Sequence, residues 1–240
     1  MPLLGTAAML LSFDIAPEAI VEHDDWHTHE HFPERLSIPG FLRGSRWIAS
    51  QGQPRYFVMY EVETLATLTS TAYLERLNNP SPRTAKMMAH YRGMTRGFCT
   101  ITHGGGLGLG HAAIFLRFKP DPDSDAALRD WLIGDVLPGL PAMPGLACAY
   151  LFEAAQTPPG TNEQRIRGQD AGVDCALLIT GYNAERVTEL FQTRLGPRRL
   201  EQRGATGISG GVYQMAYTLS GRPETTTVFP VERVRLWSWS

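Results

Sequence analysis

Four of the chain's seven histidines fall in one short stretch, HDDWHTHEHFPERLSIPG, from His23 to Gly40. On a helix, His23, His27 and His31 stand at i, i+4 and i+8 and share one face. An imidazole titrates near pH 6.5, so neighbouring imidazoles can take a proton at one atom and return it at another. The spacing marks His27 and His31 as acid/base candidates, with Glu30 orienting one of them and His23 lining the same space. His27-Thr28-His29-Glu30-His31 also spells H-x-x-E-H, the inverted zinc-peptidase pattern. No third ligand stands out, so no metal site is assigned. A divalent metal on His27, His31 and a carboxylate such as Glu34 stays an alternative.

Further candidates follow in the chain. Strand alternation puts Arg46 on one face and Arg43 and Trp47 on the other. An arginine here can hold a substrate carboxylate or phenolate, and Arg46 with Trp47 is expected to hold the substrate. His90 and Tyr91, just before a strand, are placed as a cap on the pocket. The glycine-rich HGGGLGLGH (His103 to His111) fits neither G-x-G-x-x-G nor a P-loop and leads into a strand, so it reads as a crossover. Cys99, Cys148 and Cys175 are widely spaced and read as buried free thiols of a reducing compartment.

A hydrophobic share of 43% and a charged share of 19% are those of a globular protein with a proper core. A net charge of −2 without a basic run argues against nucleic-acid binding. The opening MPLLGTAAMLL lacks a basic region and is too short to span a bilayer. A soluble cytoplasmic protein without membrane contact is expected.

These side chains need elements to hold them. Ala7–Asp14 reads as a buried strand, and Pro17-Glu18 opens a helix that runs to about Leu36, broken or bent at Pro33. Phe41–Ser50 and Arg55–Val62 read as strands joined by a QGQP turn, Thr64–Leu77 as a helix, Ala85–Arg96 as helical or irregular, and Phe98–Thr102 as a fourth strand. The order is β-α-β-β-α-β, the ferredoxin-like one.

The pattern then starts again. AAMLLSFDIAP (Ala7 to Pro17) lies over AAIFLRFKPDP (Ala112 to Pro122), and the same shift of 105 carries Trp26 onto Trp131, Pro33 onto Pro138 and Pro39-Gly40 onto Pro144-Gly145. Later, Tyr56–Leu77 resembles Asp174–Leu195, and Gly97–Thr102 resembles Gly211–Ala216. The polar stretch Pro158–Gly172 reads as an inserted loop. Under the shift, His23, His27 and His31 have aliphatic twins in Leu128, Leu132 and Val136. An aliphatic i, i+4, i+8 row is a buried stripe, so the histidines should face inward. Buried imidazoles need partners, at about 1–3 kcal/mol for each polar group left unsatisfied, which implies a polar or hollow space beside them.

The W-H-x-x-E-H-F-P-E-R-L-x-I-P-G-F pattern from Trp26 to Phe41, the R-G-S-R-W strand after it and the YFVMYEVE strand resemble the dimeric α+β barrel superfamily. That superfamily includes antibiotic-biosynthesis monooxygenases, muconolactone isomerases and EthD-like proteins. The resemblance implies a pocket between the first helix and the sheet, small aromatic or polyketide-like ligands, and in many members no cofactor; some relatives bind haem. The expected architecture is α+β, two tandem ferredoxin-like units in a fused barrel. The first unit spans 1–103, a Gly-rich crossover 104–111, the second unit 112–219 and a C-terminal extension 220–240. The expected function is a cofactor-independent enzyme, of isomerase, lyase or monooxygenase type, on a small aromatic or carbonyl compound. The alternatives are a haem- or metal-dependent enzyme using the same histidines, or a non-catalytic small-molecule-binding module. Such a fold allows further pairing into a homo-oligomer through the barrel exterior.

Overall fold

The computed structural model describes residues 3–156 and 159–221. The expected edge strand of the C-terminal extension lies beyond Gly221, outside the described residues. Four strands come first: β1 (Ala7–Ile15), β2 (Phe41–Gln53), β3 (Tyr56–Val62) and β4 (Tyr91–Gly106). Four more repeat them: β5 (Ala112–Pro120), β6 (Leu146–Gln156), β7 (Cys175–Gly181) and β8 (Ala205–Ser220). The first half carries α1 (Ile20–Trp26), α2 (Phe32–Leu36), α3 (Thr71–Asn78) and α4 (Pro82–Met88). The second carries α5 (Asp125–Asp130), α6 (Asn162–Arg167), α7 (Ala184–Leu190) and α8 (Pro197–Glu201).

In space the strands run β1-β3-β2-β8-β5-β7-β6-β4 and close into a barrel. Each half supplies a ferredoxin-like sheet, and the halves join where β2 pairs with β8 and β4 with β6. Closure removes every sheet edge that could pair with another chain. Alternation along the strands then makes three cores. In β1, Met9, Leu11 and Phe13 face the first-half helices, while Ala8 and Leu10 face the barrel interior. That interior is filled from both sheets, with Phe57 of β3 stacked on Phe115 of β5 at 3.7 Å. The second-half helices cover their own core, around Leu128, Leu132 and Leu177.

The repeat holds in register. Ala7 pairs with Val62 as Ala112 pairs with Gly181, and both second strands carry the same irregularity, between Phe41 and Arg43 and between Leu146 and Cys148. The third strands correct the alignment: Tyr56 corresponds to Cys175, not Asp174. A one-residue slip of that kind exchanges the two faces of a strand.

Other boundaries also differ from expectation. Residues 85–96 hold the end of α4 and the start of β4, which begins at Tyr91 because Tyr91–Thr95 pair with β1. The expected helix over 64–77 divides at Ser70, whose hydroxyl accepts from Tyr73 N and starts α3. The glycine-rich stretch is less of a crossover than expected: His103–Gly106 belong to β4 and pair with β6. A Cβ at Gly104 would stand 2.1 Å from the Ala149 carbonyl oxygen, so the close strand approach requires glycine. The inserted stretch is not a plain loop either. It holds α6 and returns to the first half, where Ala171 bridges Thr95. Among the described residues, no helix is long and apolar enough to cross a membrane.

Candidate active site

Between α1 and α2 the helix widens into one π turn, His27–His31. The second half does the same over Trp131–Val136, and Phe191–Leu195 forms a third such turn. In each case a proline stands two residues further on, Pro33, Pro138 or Pro197. Proline has no N–H to donate and its ring crowds the carbonyl four residues back, and a wider turn relieves both. Hence the expected break at Pro33 appears as a bulge, and the chain runs on into α2.

The widened turn keeps the histidine row on one inward face. His23 is 0% exposed, His27 2% and His31 6%, while His29 points to solvent. The rings stack in series, His23 on His27 at 5.1 Å and His27 on His31 at 5.3 Å, with Trp26 against His31 and Phe32 edge-on to His27. Phe32 fits there because β2 offers Gly44 beneath it; a Cβ at that position would lie 2.3 Å from the Phe32 ring.

Proton positions follow from the partners. Arg46 reaches over from β2 and donates from Nη1 to His27 Nδ1 (3.3 Å) and to the Asp24 carbonyl (3.1 Å), and from Nη2 to Thr28 Oγ1 (3.0 Å). A guanidinium only donates, so Nδ1 of His27 accepts and the ring proton sits on Nε2. His23 donates from Nδ1 to Asp24 (3.2 Å), and its Nε2 accepts from the Tyr91 hydroxyl (3.3 Å). Among the described residues His31 Nδ1 has no hydrogen-bond partner; it lies 3.8 Å from Glu34 Oε2, which also has none there. Burial, reinforced by neighbouring positive charge, holds His27 and His31 well below the usual histidine range, so both rings are neutral at pH 7. Burial also raises the Glu34 carboxyl and pushes the Tyr60 and Tyr91 hydroxyls up, so both phenols stay protonated.

The far wall comes from the second half. On the inserted helix α6, Glu163 accepts from Arg35 Nη2 at 2.5 Å, and Arg167 pairs with Asp170 at 2.6 Å. Asp170 also meets Arg96 of β4 at 2.9 Å. All five of these side chains are nearly buried. Arg35, Arg96, Glu163 and Arg167, with His27, His31, Tyr60, Tyr73, Tyr91 and apolar residues of β1, line a cavity of about 30 Å³, room for about two waters. Among the described residues, Arg35 Nη1, Arg96 Nη1 and the Tyr60 hydroxyl find no hydrogen-bond partner around it.

Of the residues expected at the site, His27, His31 and Tyr91 line the cavity, while His23 and Arg46 stand behind them, His23 on Tyr91 and Arg46 on His27, and do not line it. Glu30 does not join them: it accepts from Ser81 Oγ at 2.5 Å and faces Arg83 on the outer side, so Glu34 is the carboxylate beside His31. Trp47 lies in the barrel interior, and Arg43 pairs there with Glu61 at 2.6 Å; both occupy the sheet face away from the histidines. His90 is half-buried; its carbonyl accepts from Ala16 N, and its ring is not among the residues around the cavity. The expectation named Glu34 only as a possible metal ligand and missed Arg35, Tyr60, Arg96, Glu163 and Arg167. One signal was available, since Arg35 falls on the buried Leu140 under the same shift that singled out the histidines.

Among the described residues, no three His, Cys, Asp or Glu side chains converge as metal ligands do. The guanidiniums of Arg46 and Arg35 beside His27 and His31 would repel a divalent cation, so this donor set does not fit one. The three cysteines are buried and free, with thiols pushed up to about 11 or 12 mainly by burial, which suits packing rather than nucleophilic work. A larger open cleft of about 640 Å³ lies on the second half beside Trp131 and Phe191. It contains no histidine, and its arginines 194, 198 and 199 are exposed to water, so it lacks the desolvated groups found in the first half.

No protein-family model and no curated protein matches the chain in sequence. Solved structures do match in fold. An anthrone oxidase-like protein superposes with a TM-score of 0.62 at 11% identity, covering 95% of this chain and 99% of that one. A monooxygenase candidate from Fusobacterium nucleatum gives 0.60 at 8% identity, covering 91% and 96%. A similar candidate from Lactobacillus acidophilus gives 0.56 at 7%, covering 90% and 97%. With the strand order above, these matches show that the chain has the dimeric α+β barrel fold, both halves fused in one polypeptide. At such identities the likeness concerns fold and carries no residue roles.

Proposed function

We propose that the first-half cavity is the active site of a small-molecule enzyme that removes a proton from a weak carbon or oxygen acid and holds the anion formed. The carrying observation is the row of buried, stacked imidazoles kept neutral against a polar cavity. A neutral imidazole has its lone pair free at pH 7; the burial that keeps it neutral also weakens it as a base, so it needs an anion beside it to offset that burial when it takes the proton. His31 takes the part of the base. A closure of about 1 Å lets its Nδ1–H donate to Glu34, which leaves the Nε2 lone pair free for the substrate. His27, fixed by Arg46 with its proton on Nε2, donates to the developing oxyanion, and the Tyr60 hydroxyl is a second donor for it. Three outcomes share the abstraction step: return of the proton to another atom as in an isomerase, expulsion of a leaving group by the anion as in a lyase, and oxidation of the anion by dioxygen as in a monooxygenase. No resident cofactor is needed for it.

Solvent-exchange measurement tests this without knowledge of the natural substrate. The protein is incubated in D2O with a panel of hydroxylated aromatic and dicarbonyl compounds, and deuterium uptake at carbon is followed by mass spectrometry. At least one compound should exchange faster with the protein, and His31→Ala should lose about 10²–10⁴-fold of that acceleration. Absence of acceleration across the panel, or equal rates for the variant, would overturn the proposal. Retention of a panel compound without exchange would favour the binding-module reading.

A further inference from the structure

The pair Arg35–Glu163 is difficult to explain by stability. It joins residues 128 positions apart, from α2 of the first half and the helix inserted in the second, and both members are nearly buried. Desolvating two charges costs several kcal/mol, which their attraction often does no more than offset, and apolar residues of similar size do as well or better. The fold itself needs no cation at this place, because the twin of Arg35 is Leu140 in the core of the second half. Arginine also presents a planar fork suited to a carboxylate, but among the described residues only one arm is used: Nη2 holds Glu163, while Nη1 has no hydrogen-bond partner and stands 3.5 Å from Glu34.

The carboxylate on that arm is carried by a short inserted helix. Glu163 is the buried residue of α6, whose Ile166 is exposed. The insertion is fastened at one end by Asn162 to Asn78 and at the other by Ala171 to Met94 and Arg96. Between those points it meets the first half through polar contacts: Glu163 on Arg35, Asp170 on Arg96, and Gln164 Oε1, which accepts from Arg96 Nη2 at 3.4 Å. The enclosed space of about 30 Å³ is far below the roughly 300–1,000 Å³ of small-molecule sites. A substrate therefore gains room where the α6 wall now stands.

We propose that Glu163 is a tethered stand-in for an oxyanion carried by the substrate, so that the site takes small anionic ring compounds, carboxylates foremost, by exchanging one carboxylate for another on Arg35. Such an exchange keeps the buried charge balanced, whereas a neutral ligand that moved α6 would leave Arg35 with Glu34 alone, 3.5 Å from Nη1, as its counter-charge. The bound anion beside Arg35 lies one helical turn from His31, which brings the body of the ligand to the base. This inference rests on the functional reading of the same cavity, but it concerns binding and is tested by binding alone.

The test is calorimetric titration of the full chain with benzoate and with benzamide, its neutral isostere. Glu163→Gln removes the internal competitor and should bind benzoate about tenfold or more tighter than the unaltered protein, with benzamide changed by less than about twofold. Asp170→Asn loosens the same insertion without touching Arg35 and should give no gain selective for the anion. The double variant Arg35→Leu, Glu163→Leu replaces the pair by the residue type of the second half. It should fold, as circular dichroism will report, and show no preference for benzoate. Equal gains for both probes, unchanged or weaker benzoate binding in Glu163→Gln, or binding of neither probe overturns the proposal. Charge-selective binding without proton exchange would remove the proposed chemistry and leave this inference standing.

Discussion

A buried imidazole that stays neutral resists protonation, and that resistance links the site to stability. In the unfolded chain the same histidines titrate near pH 6.5; in the folded chain His27 and His31 are held well below it, mainly by burial. Between the two values the unfolded state binds more protons, so stability is full above about pH 6.5 and falls as the pH drops, by up to about 1.4 kcal/mol per pH unit for each group. His27→Leu, which copies Leu132 of the second half, should flatten that acid slope in urea melts performed at a series of pH values. A slope unchanged from that of the parent would show that His27 is already solvated. The same residue-level logic separates Glu30 from Glu34. Both lie near the histidines in sequence, but the first is claimed by Ser81 and Arg83 and the second faces His31.

Helix and strand meet at one point on which the histidine row depends. The π turn leads into α2, α2 presents Phe32, and Phe32 occupies the space left by Gly44 on β2 while holding the His27 ring edge-on at 4.5 Å. Neither contact atom can yield cheaply, since the ring is also packed against Tyr60 and Tyr217. Gly44→Ala should therefore cost about 1–3 kcal/mol in denaturant unfolding and lower the rate of proton exchange, because displacing Phe32 shifts His27. Full activity and stability in that variant would show that the strand does not position the row. Within elements the sequence was informative up to a point. Proline placement foretold a disturbance at Pro33 but not its form, because whether a helix kinks or widens is decided by what packs against it.

At the scale of the molecule, duplication was legible because both halves keep their tryptophan, prolines and strand pattern at a common shift, and that comparison led to the inward face of His23, His27 and His31. The slip at Tyr56 arose where local similarity favoured Asp174 and only strand pairing distinguishes one register from the next. The far wall of the site was illegible for a physical reason: residues 159–172 are polar and glycine-flanked, like a solvated loop, and Thr161 and Glu163 among them become buried only because barrel closure brings the second half against α3, α4 and β4 of the first. Charged side chains read as surface when their partners lie more than a hundred residues away. Arg35 and Glu163 are the plainest case. The central claim, that this closure holds neutral imidazoles around a polar cavity, is tested most directly by histidine-selective nitrogen–proton NMR of the full chain from about pH 8 down to about pH 4. The account predicts that His27 and His31 stay neutral well below pH 6.5, with the His27 proton on Nε2. Titration of both rings near pH 6.5, as in an unfolded peptide, would contradict it.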